Sequence, residues 1–219
     1  SLEKLINNAL KNSKNRNLSE LILKQVVNDL GGVKYKVLDD NIAIDISLVS
    51  EPSNFELVWK QLQKHQIDMV LQPIKNRRKK ILLADMDSTM IEQECIDELA
   101  DEAGVGKRVA EITKRAMNGE LDFEDALIER VKLLKGLSSD IIVNVLKGRI
   151  TLMPGAESLI KTMKRNGSYC ALVSGGFTDF TEAISKMLGF DENRANILLH
   201  ENEMLSGKVH LPILGKQAK

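Results

Sequence analysis

Cysteine is scarce in this 219-residue chain, with two, and so are proline, with four, and aromatic residues, at 4%. Cys95 and Cys170 are too few for a disulfide framework and show no metal-type spacing. With four prolines and 14 glycines in no regular period, collagen-like and low-complexity chains are excluded. No apolar run approaches the ~20 residues that a membrane-spanning helix needs. Net charge is also absent, because 31 Lys+Arg balance 31 Asp+Glu. The whole chain thus offers no electrostatic argument for nucleic acid or a membrane surface. No signal-type segment precedes the first charges, so cytoplasmic placement is expected. What remains is ordinary globular composition, 43% hydrophobic and 28% charged, enough for one large domain or two small ones.

The neutral total conceals a split. Residues 1–80 carry 14 basic and 9 acidic side chains, net +5, and residues 81–219 carry 17 and 22, net −5. The sign changes at Arg77-Arg78-Lys79-Lys80. This run lacks interleaved aromatics and leads straight into apolar residues, so it reads as a solvated linker rather than a nucleic-acid patch. Before it, Ser19-Glu20 opens a helical pattern that Gly31-Gly32 stops. Strands are expected at Val33–Leu38 and Ile42–Leu48, around Asp39-Asp40-Asn41. A helix capped by Ser53 follows, then a strand near Ile67–Leu71. This α-β-β-α-β order makes residues 1–76 a small α+β domain that resembles a ferredoxin-like or ACT-type module lacking its first strand. Trp59 reads as a core anchor on the second helix.

Residues 77–219 form the second expected domain. Ile81-Leu82-Leu83-Ala84 shows no alternation, which suits a strand buried on both faces of a parallel sheet. Residues 92–150 are helical in pattern, with breaks near Gly104–Gly106, Asn118-Gly119 and Gly136. A further helix, an apolar strand at Ser168–Val173, a helix at Phe177–Leu188 and a strand at Ala195–His200 follow, then a hairpin over Glu203–Leu211. The fold class is α/β, its core interrupted by a helical insert.

Two stretches carry chemistry. Asp85-Met86-Asp87-Ser88-Thr89 follows the apolar strand directly, where open α/β sheets bind ligands. Residues two apart in a strand point the same way, so Asp85 and Asp87 can address one substrate. Alone, the pair serves equally well as turn-capping aspartates. The second stretch, Ser174-Gly175-Gly176-Phe177-Thr178, joins a strand to a helix. Its hydroxyl and glycine amides suit an anion, and also a plain tight turn.

These stretches, with ADMDSTMIEQECIDELADEAGVGKRVAEITKRAMNGELDFEDALIERVKLLKGL and MPGAESLI, resemble the phosphoserine phosphatase family of the haloacid dehalogenase superfamily over most of residues 81–190. The resemblance implies a Rossmann-like core with a helical cap inserted after its first strand. It implies hydrolysis of O-phospho-L-serine to serine and phosphate, the last step of serine biosynthesis, through an aspartyl-phosphate. Asp85 would be the nucleophile and Asp87 the general acid and base. Ser174, with amides near Gly175, would hold phosphate oxygens. An anionic nucleophile meeting a phosphate is opposed by roughly 4 kcal/mol per charge pair at ~4 Å and an effective dielectric of ~20. The family offsets this with Mg²⁺, on Asp85 and the Asp87 carbonyl, and with a lysine. Glu94 would meet the substrate ammonium and Arg130 its carboxylate, while Met117 and Phe123 would close over the site. Without the resemblance these four would read as surface charges or core residues. Cys95 and Cys170 read as packing residues, and His65, His200 and His210 carry no assigned role.

The lysine of the family pattern falls on Lys219, with Lys216 as second candidate. The family's GDGxND stretch, whose aspartates complete the metal site, is absent from this sequence. The core therefore reads as truncated, with Ile81–Ala84 left on an open edge. Alternatives are a catalytically silent protein that binds phosphoserine or an amino acid, and a phosphomonoesterase or phosphotransferase with another substrate. A small-molecule substrate is expected, without nucleic acid or membrane partners, and a homodimer stays open.

Overall fold

The computed structural model describes residues 4–7, as backbone, and residues 17–215. By internal contacts the chain divides into two compact units, Ser1–Arg78 and Lys79–Lys219.

In the first unit the order is β1 (Lys4–Asn7), α1 (Glu20–Asp29), β2 (Lys34–Asp39), β3 (Ala43–Leu48), α2 (Phe55–Gln63) and β4 (Val70–Pro73). Ser19 caps α1, its hydroxyl accepting from Ile22 N–H. The sheet runs β2-β3-β1-β4 and is antiparallel throughout. The first strand judged missing is therefore present, paired between β3 and β4. Together the six elements make the β-α-β-β-α-β split arrangement. Ile44, Ile46 and Leu48 alternate along β3 and pack with Leu23, Val26, Val58 and Leu62 of the helices. Asp45 lies between them, 8% exposed, where Arg77 forks onto it at 2.6 and 2.9 Å. Arg77 is thus a tether within this unit rather than part of a solvated linker. At α2 the N-terminal position falls on Asn54, not Ser53, and the Asn54 amide donates to Asp29 O at 2.7 Å. Trp59 packs against the core, its indole N–H donating to Asp68 at 2.9 Å.

The second unit begins with β5 (Ile81–Ala84), followed by four helices, α3 (Cys95–Glu102), α4 (Gly106–Met117), α5 (Phe123–Lys132) and α6 (Asp140–Gly148). Then come α7 (Ala156–Arg165), β6 (Tyr169–Phe177), α8 (Thr178–Leu188), β7 (Glu192–Asn196), β8 (Leu198–Glu201) and β9 (Met204–Val209). Strands β5, β6 and β7 form a parallel sheet in that order, with Leu82 beside Cys170 and Ala84 beside Leu172. The expectation that β5 is buried on both faces is corrected. As an edge strand among the described residues, it exposes Ile81 at 68% and Leu83 at 52%, while Ala84 points inward. Cys170, Leu172, Phe180, Ile160, Leu99 and Val131 belong to one continuous core. The hairpin β8–β9 turns at Asn202-Glu203, both left-handed.

The helical insert is tied at its base. Ile91 bridges Leu152, Glu92 N–H donates to Thr151 O at 3.0 Å, and Met153 N–H donates to Met90 O at 3.0 Å. Its entry and exit strands therefore emerge side by side, next to the C-terminal end of β5. No helix among the described residues is long and apolar enough to cross a membrane.

Candidate active site

β5 and β6 are parallel neighbours, so the residues that follow them come out at the same edge of the sheet. Asp85 leaves β5 with its Oδ1 accepting from Met86 N–H at 2.9 Å. Met86 is fully buried, and its carbonyl accepts from the N–H groups of Thr89, Met90 and Ile91. This tight turn brings Asp87 back toward the cavity. Asp87 Oδ1 accepts from Cys95 N–H at 2.9 Å, at the start of α3, and Oδ2 accepts from the Ser174 hydroxyl at 3.1 Å.

Ser174 is buried in β6, which continues to Phe177 with a shift of register after Val173. The stretch expected as a tight turn is therefore an irregular strand end. Both glycines allow a close approach of side chains. A Cβ on Gly176 would stand 2.9 Å from Asp87 Oδ2, and one on Gly175 would stand 2.9 Å from the Phe123 ring. Gly176 N–H donates to Ser174 Oγ at 2.9 Å.

Next to Asp87, Ser88 adopts a left-handed φ of 53° and its hydroxyl donates to Glu94 Oε1 at 2.6 Å. Burial pushes the Glu94 carboxyl up from its ordinary range; the Ser88 hydrogen bond opposes this, and Asp87, Asp97 and Asp85 add to it. Arg130 is part-buried, and its Nε donates to Ala126 O at 3.1 Å, which leaves the terminal nitrogens of the fork for a ligand. Desolvation lowers the Arg130 guanidinium, and the nearby Asp97 and Glu94 carboxylates counter this.

A cavity of about 220 Å³ is lined by Asp85, Asp87, Glu94, Phe123, Arg130, Ser174 and Gly175, all singled out in the sequence. Gly176 and Phe177, of the same glycine stretch, line it as well, and so do Ile96 and Leu127, which were missed. Leu127 was legible, because Phe123, Leu127 and Arg130 stand at i, i+4 and i+7 on one face of α5. Met117 is a correction. It is 84% exposed at the end of α4 and does not line the cavity. Lys216 and Lys219 lie outside the described residues.

The cavity brings together the carboxylates of Asp85, Asp87 and Glu94 and the guanidinium of Arg130. All candidate metal donors at the sheet edge are hard oxygens. Among the described residues no cluster of three or more carboxylate, histidine or cysteine side chains could hold a metal by itself. This donor set fits Mg²⁺, which takes one or two carboxylates and fills its octahedron with substrate phosphate and water.

Residues 82–219 match the family described as haloacid dehalogenase-like hydrolase. The chain belongs to that family. Among relatives of this haloacid dehalogenase-like chain is the phosphoserine phosphatase of Archaeoglobus fulgidus, 43% identical over 162 residues, covering 73% of this chain and 47% of the relative. A structure of a substrate-bound phosphoserine phosphatase complex is 45% identical with a TM-score of 0.57, covering 60% of this chain and 62% of that one. An unliganded probable phosphoserine phosphatase from Vibrio cholerae is 27% identical with a TM-score of 0.70, covering 99% of this chain and 65% of that one. The chain spans about half the length of the first curated relatives it matches.

Proposed function

We propose that this haloacid dehalogenase-like chain is a phosphoserine phosphatase. The observation that carries the reading is a single cavity lined by Asp85, Asp87 and Ser174, the last two hydrogen-bonded, and also by Glu94 and Arg130. In this reading a phosphate takes the place beside Asp85, Asp87 and Ser174. An amino-acid ammonium and carboxylate take the places beside Glu94 and Arg130, with the guanidinium fork suited to a carboxylate.

In this reading Asp85 attacks phosphorus, and the bond from phosphorus to the serine oxygen breaks as Asp87 donates its proton to that oxygen. Water then attacks the aspartyl-phosphate, Asp87 takes the water's proton, and the Asp85–phosphorus bond breaks to release phosphate. Ser174 donates to a phosphate oxygen, exchanging its bond to Asp87 for one to the substrate. Phe123, against Gly175, excludes water from the phosphate end. Mg²⁺ held by the Asp85 carboxylate and the Asp87 main-chain carbonyl would supply charge neutralisation between nucleophile and phosphate. Lys219, or Lys216, is assigned a phosphate oxygen by family resemblance alone.

Two domains belong to the same proposal, with the boundary expected at 76/77 moved to 78/79 because Arg77 is tied to Asp45, and with an ACT-like role for the first unit supported by its split β-α-β-β-α-β sheet. Titration with L-serine tests that role, and no heat or spectral shift from the first unit would remove it.

Phosphate release from L-phosphoserine with MgCl₂ tests the enzymatic reading. Arg130→Ala should raise KM for phosphoserine about tenfold or more, the worth of a charge-assisted hydrogen bond. KM for a phosphomonoester without a carboxylate should change far less. Equal effects on both substrates would refute the carboxylate clamp, and phosphoserine binding without turnover would establish a silent binding protein instead.

A further inference from the structure

We propose that Asn196 is a positioning residue for the phosphate end of the cavity: it fixes the Gly175–Gly176 peptide and, through it, the Ser174 hydroxyl. The kinetic consequence rests on the phosphatase reading, whereas the geometry stands without it.

Asn196 is the last residue of β7 and only 3% exposed. Its amide orientation follows from its partners. Oδ1 faces the Leu214 N–H at 2.6 Å, a donor, so this atom is the oxygen. Nδ2 faces two acceptors, Gly175 O at 2.9 Å and Leu214 O at 3.4 Å.

The Gly175 carbonyl and the Gly176 N–H are the two ends of one planar peptide unit, so fixing one fixes the other. Gly176 N–H donates to Ser174 Oγ at 2.9 Å, and the Ser174 hydroxyl donates to Asp87 Oδ2 at 3.1 Å. A chain of hydrogen bonds therefore runs from Asn196 through the peptide and Ser174 to Asp87. With the Gly176 N–H occupying one lone pair of Oγ, the hydroxyl proton turns toward Asp87, or toward a phosphate oxygen that takes its place. Each bond polarises the next, and both Ser174 and Asn196 are buried.

An external anchor is needed for a physical reason. Glycine at 176 leaves Asp87 and Ser174 in place, because a Cβ there would stand 2.9 and 3.1 Å from their side-chain oxygens and one of them would have to shift. Two successive glycines leave the peptide between them free to rotate. Asn196 removes that freedom from the neighbouring strand. Its other end holds Leu214, so the segment that precedes Lys216 and Lys219 in sequence is tied to the same side chain.

The test joins amide hydrogen exchange, read by NMR, with kinetics. In the unmodified protein the Gly176 amide should exchange slowly. In Asn196→Ala its exchange should accelerate about tenfold or more, the loss of one hydrogen bond, while Ala171–Val173 amides keep their rates. The same variant should lower kcat/KM for phosphoserine about tenfold. In a Ser174→Ala background the same change should cost less than about threefold, because both substitutions act through one hydroxyl.

If Asn196→Ala does not fold, Asn196→Asp keeps the acceptor for Leu214 N–H and the side-chain volume. Its carboxylate would face the Gly175 carbonyl with no donor, so activity relative to the unmodified protein should recover as pH falls and the introduced carboxyl gains a proton. Additive losses from the Asn196 and Ser174 changes, or a Gly176 amide that exchanges as freely as an unbonded one, would overturn the proposal. Absence of phosphoserine turnover in the unmodified protein would sink the phosphatase reading alone, and the exchange rates would still decide the role of Asn196.

Discussion

Asp87→Asn separates chemistry from architecture at this site. Asp87 accepts two hydrogen bonds, from Cys95 N–H at 2.9 Å and from the Ser174 hydroxyl at 3.1 Å. An asparagine can keep the first with its oxygen. Its NH₂ would then face Ser174 Oγ, which accepts from Gly176 N–H and retains a second lone pair. Both contacts of Asp87 therefore have a replacement, and the Ser174 hydroxyl proton turns into the cavity that Ser174 lines. Exchanging charge-assisted for neutral bonds costs about 1 kcal/mol, and relief of repulsion from Asp85 and Glu94 offsets part of that. For a unit of this size the melting temperature should move by no more than about 4 °C. The amide has no proton to give to a leaving alkoxide and cannot take one from water. The kcat for phosphoserine should therefore fall by about 10²–10⁴, or 2.7–5.4 kcal/mol of barrier, with KM little changed. Phosphate release and a thermal melt on the same preparation measure both quantities. A kcat within about tenfold of the unmodified protein would refute the acid–base role. A loss of activity accompanied by a large drop in melting temperature would refute the claim that the amide fits.

Two further outcomes follow from the charged groups. Arg77→Ala leaves Asp45, whose side chain is 10% exposed, without its forked partner, and should destabilise the first unit by about 2 kcal/mol. Urea melts would read this as a lower midpoint, and an unchanged midpoint would contradict a stabilising fork. Glu94 acts in the opposite sense. Its carboxyl is raised in the folded state, so the folded protein holds that proton more tightly than the unfolded chain does, and stability declines as pH rises from the ordinary glutamate value through the raised one. Glu94→Gln should therefore raise the melting temperature at neutral pH more than at pH 4, while KM for phosphoserine increases. A larger gain at acid pH would refute the sign.

Much of the candidate site was legible because it depends on local rules. Apolar runs ending in Asp85 and in Ser174 imply strand ends, and parallel strands deliver their C-terminal residues to one edge. Glu94 and Arg130 were legible only through family resemblance, since nothing in a helix pattern says which charged residue faces a cavity. Met117 shows the limit of that route. A residue can match a motif and still stand 84% exposed at a helix end. Asn196 was missed because its role depends on the register of β7 beside β6 and on a segment 18 residues further along. Arg77 was missed for the same reason, its partner lying 32 residues away. The four residues of β1 are too short to show a period, and their pairing with β3 and β4 is entirely long-range.

In the proposed reaction Asp85 carries the phosphoryl group. Rapid acid quenching after mixing the protein with ³²P-labelled phosphoserine and MgCl₂ tests it directly. A protein-bound label is expected, stable in acid and released by hydroxylamine as an acyl-phosphate should be, and absent in Asp85→Asn. Label that persists in Asp85→Asn, or turnover of phosphoserine at its full rate in that variant, would contradict it.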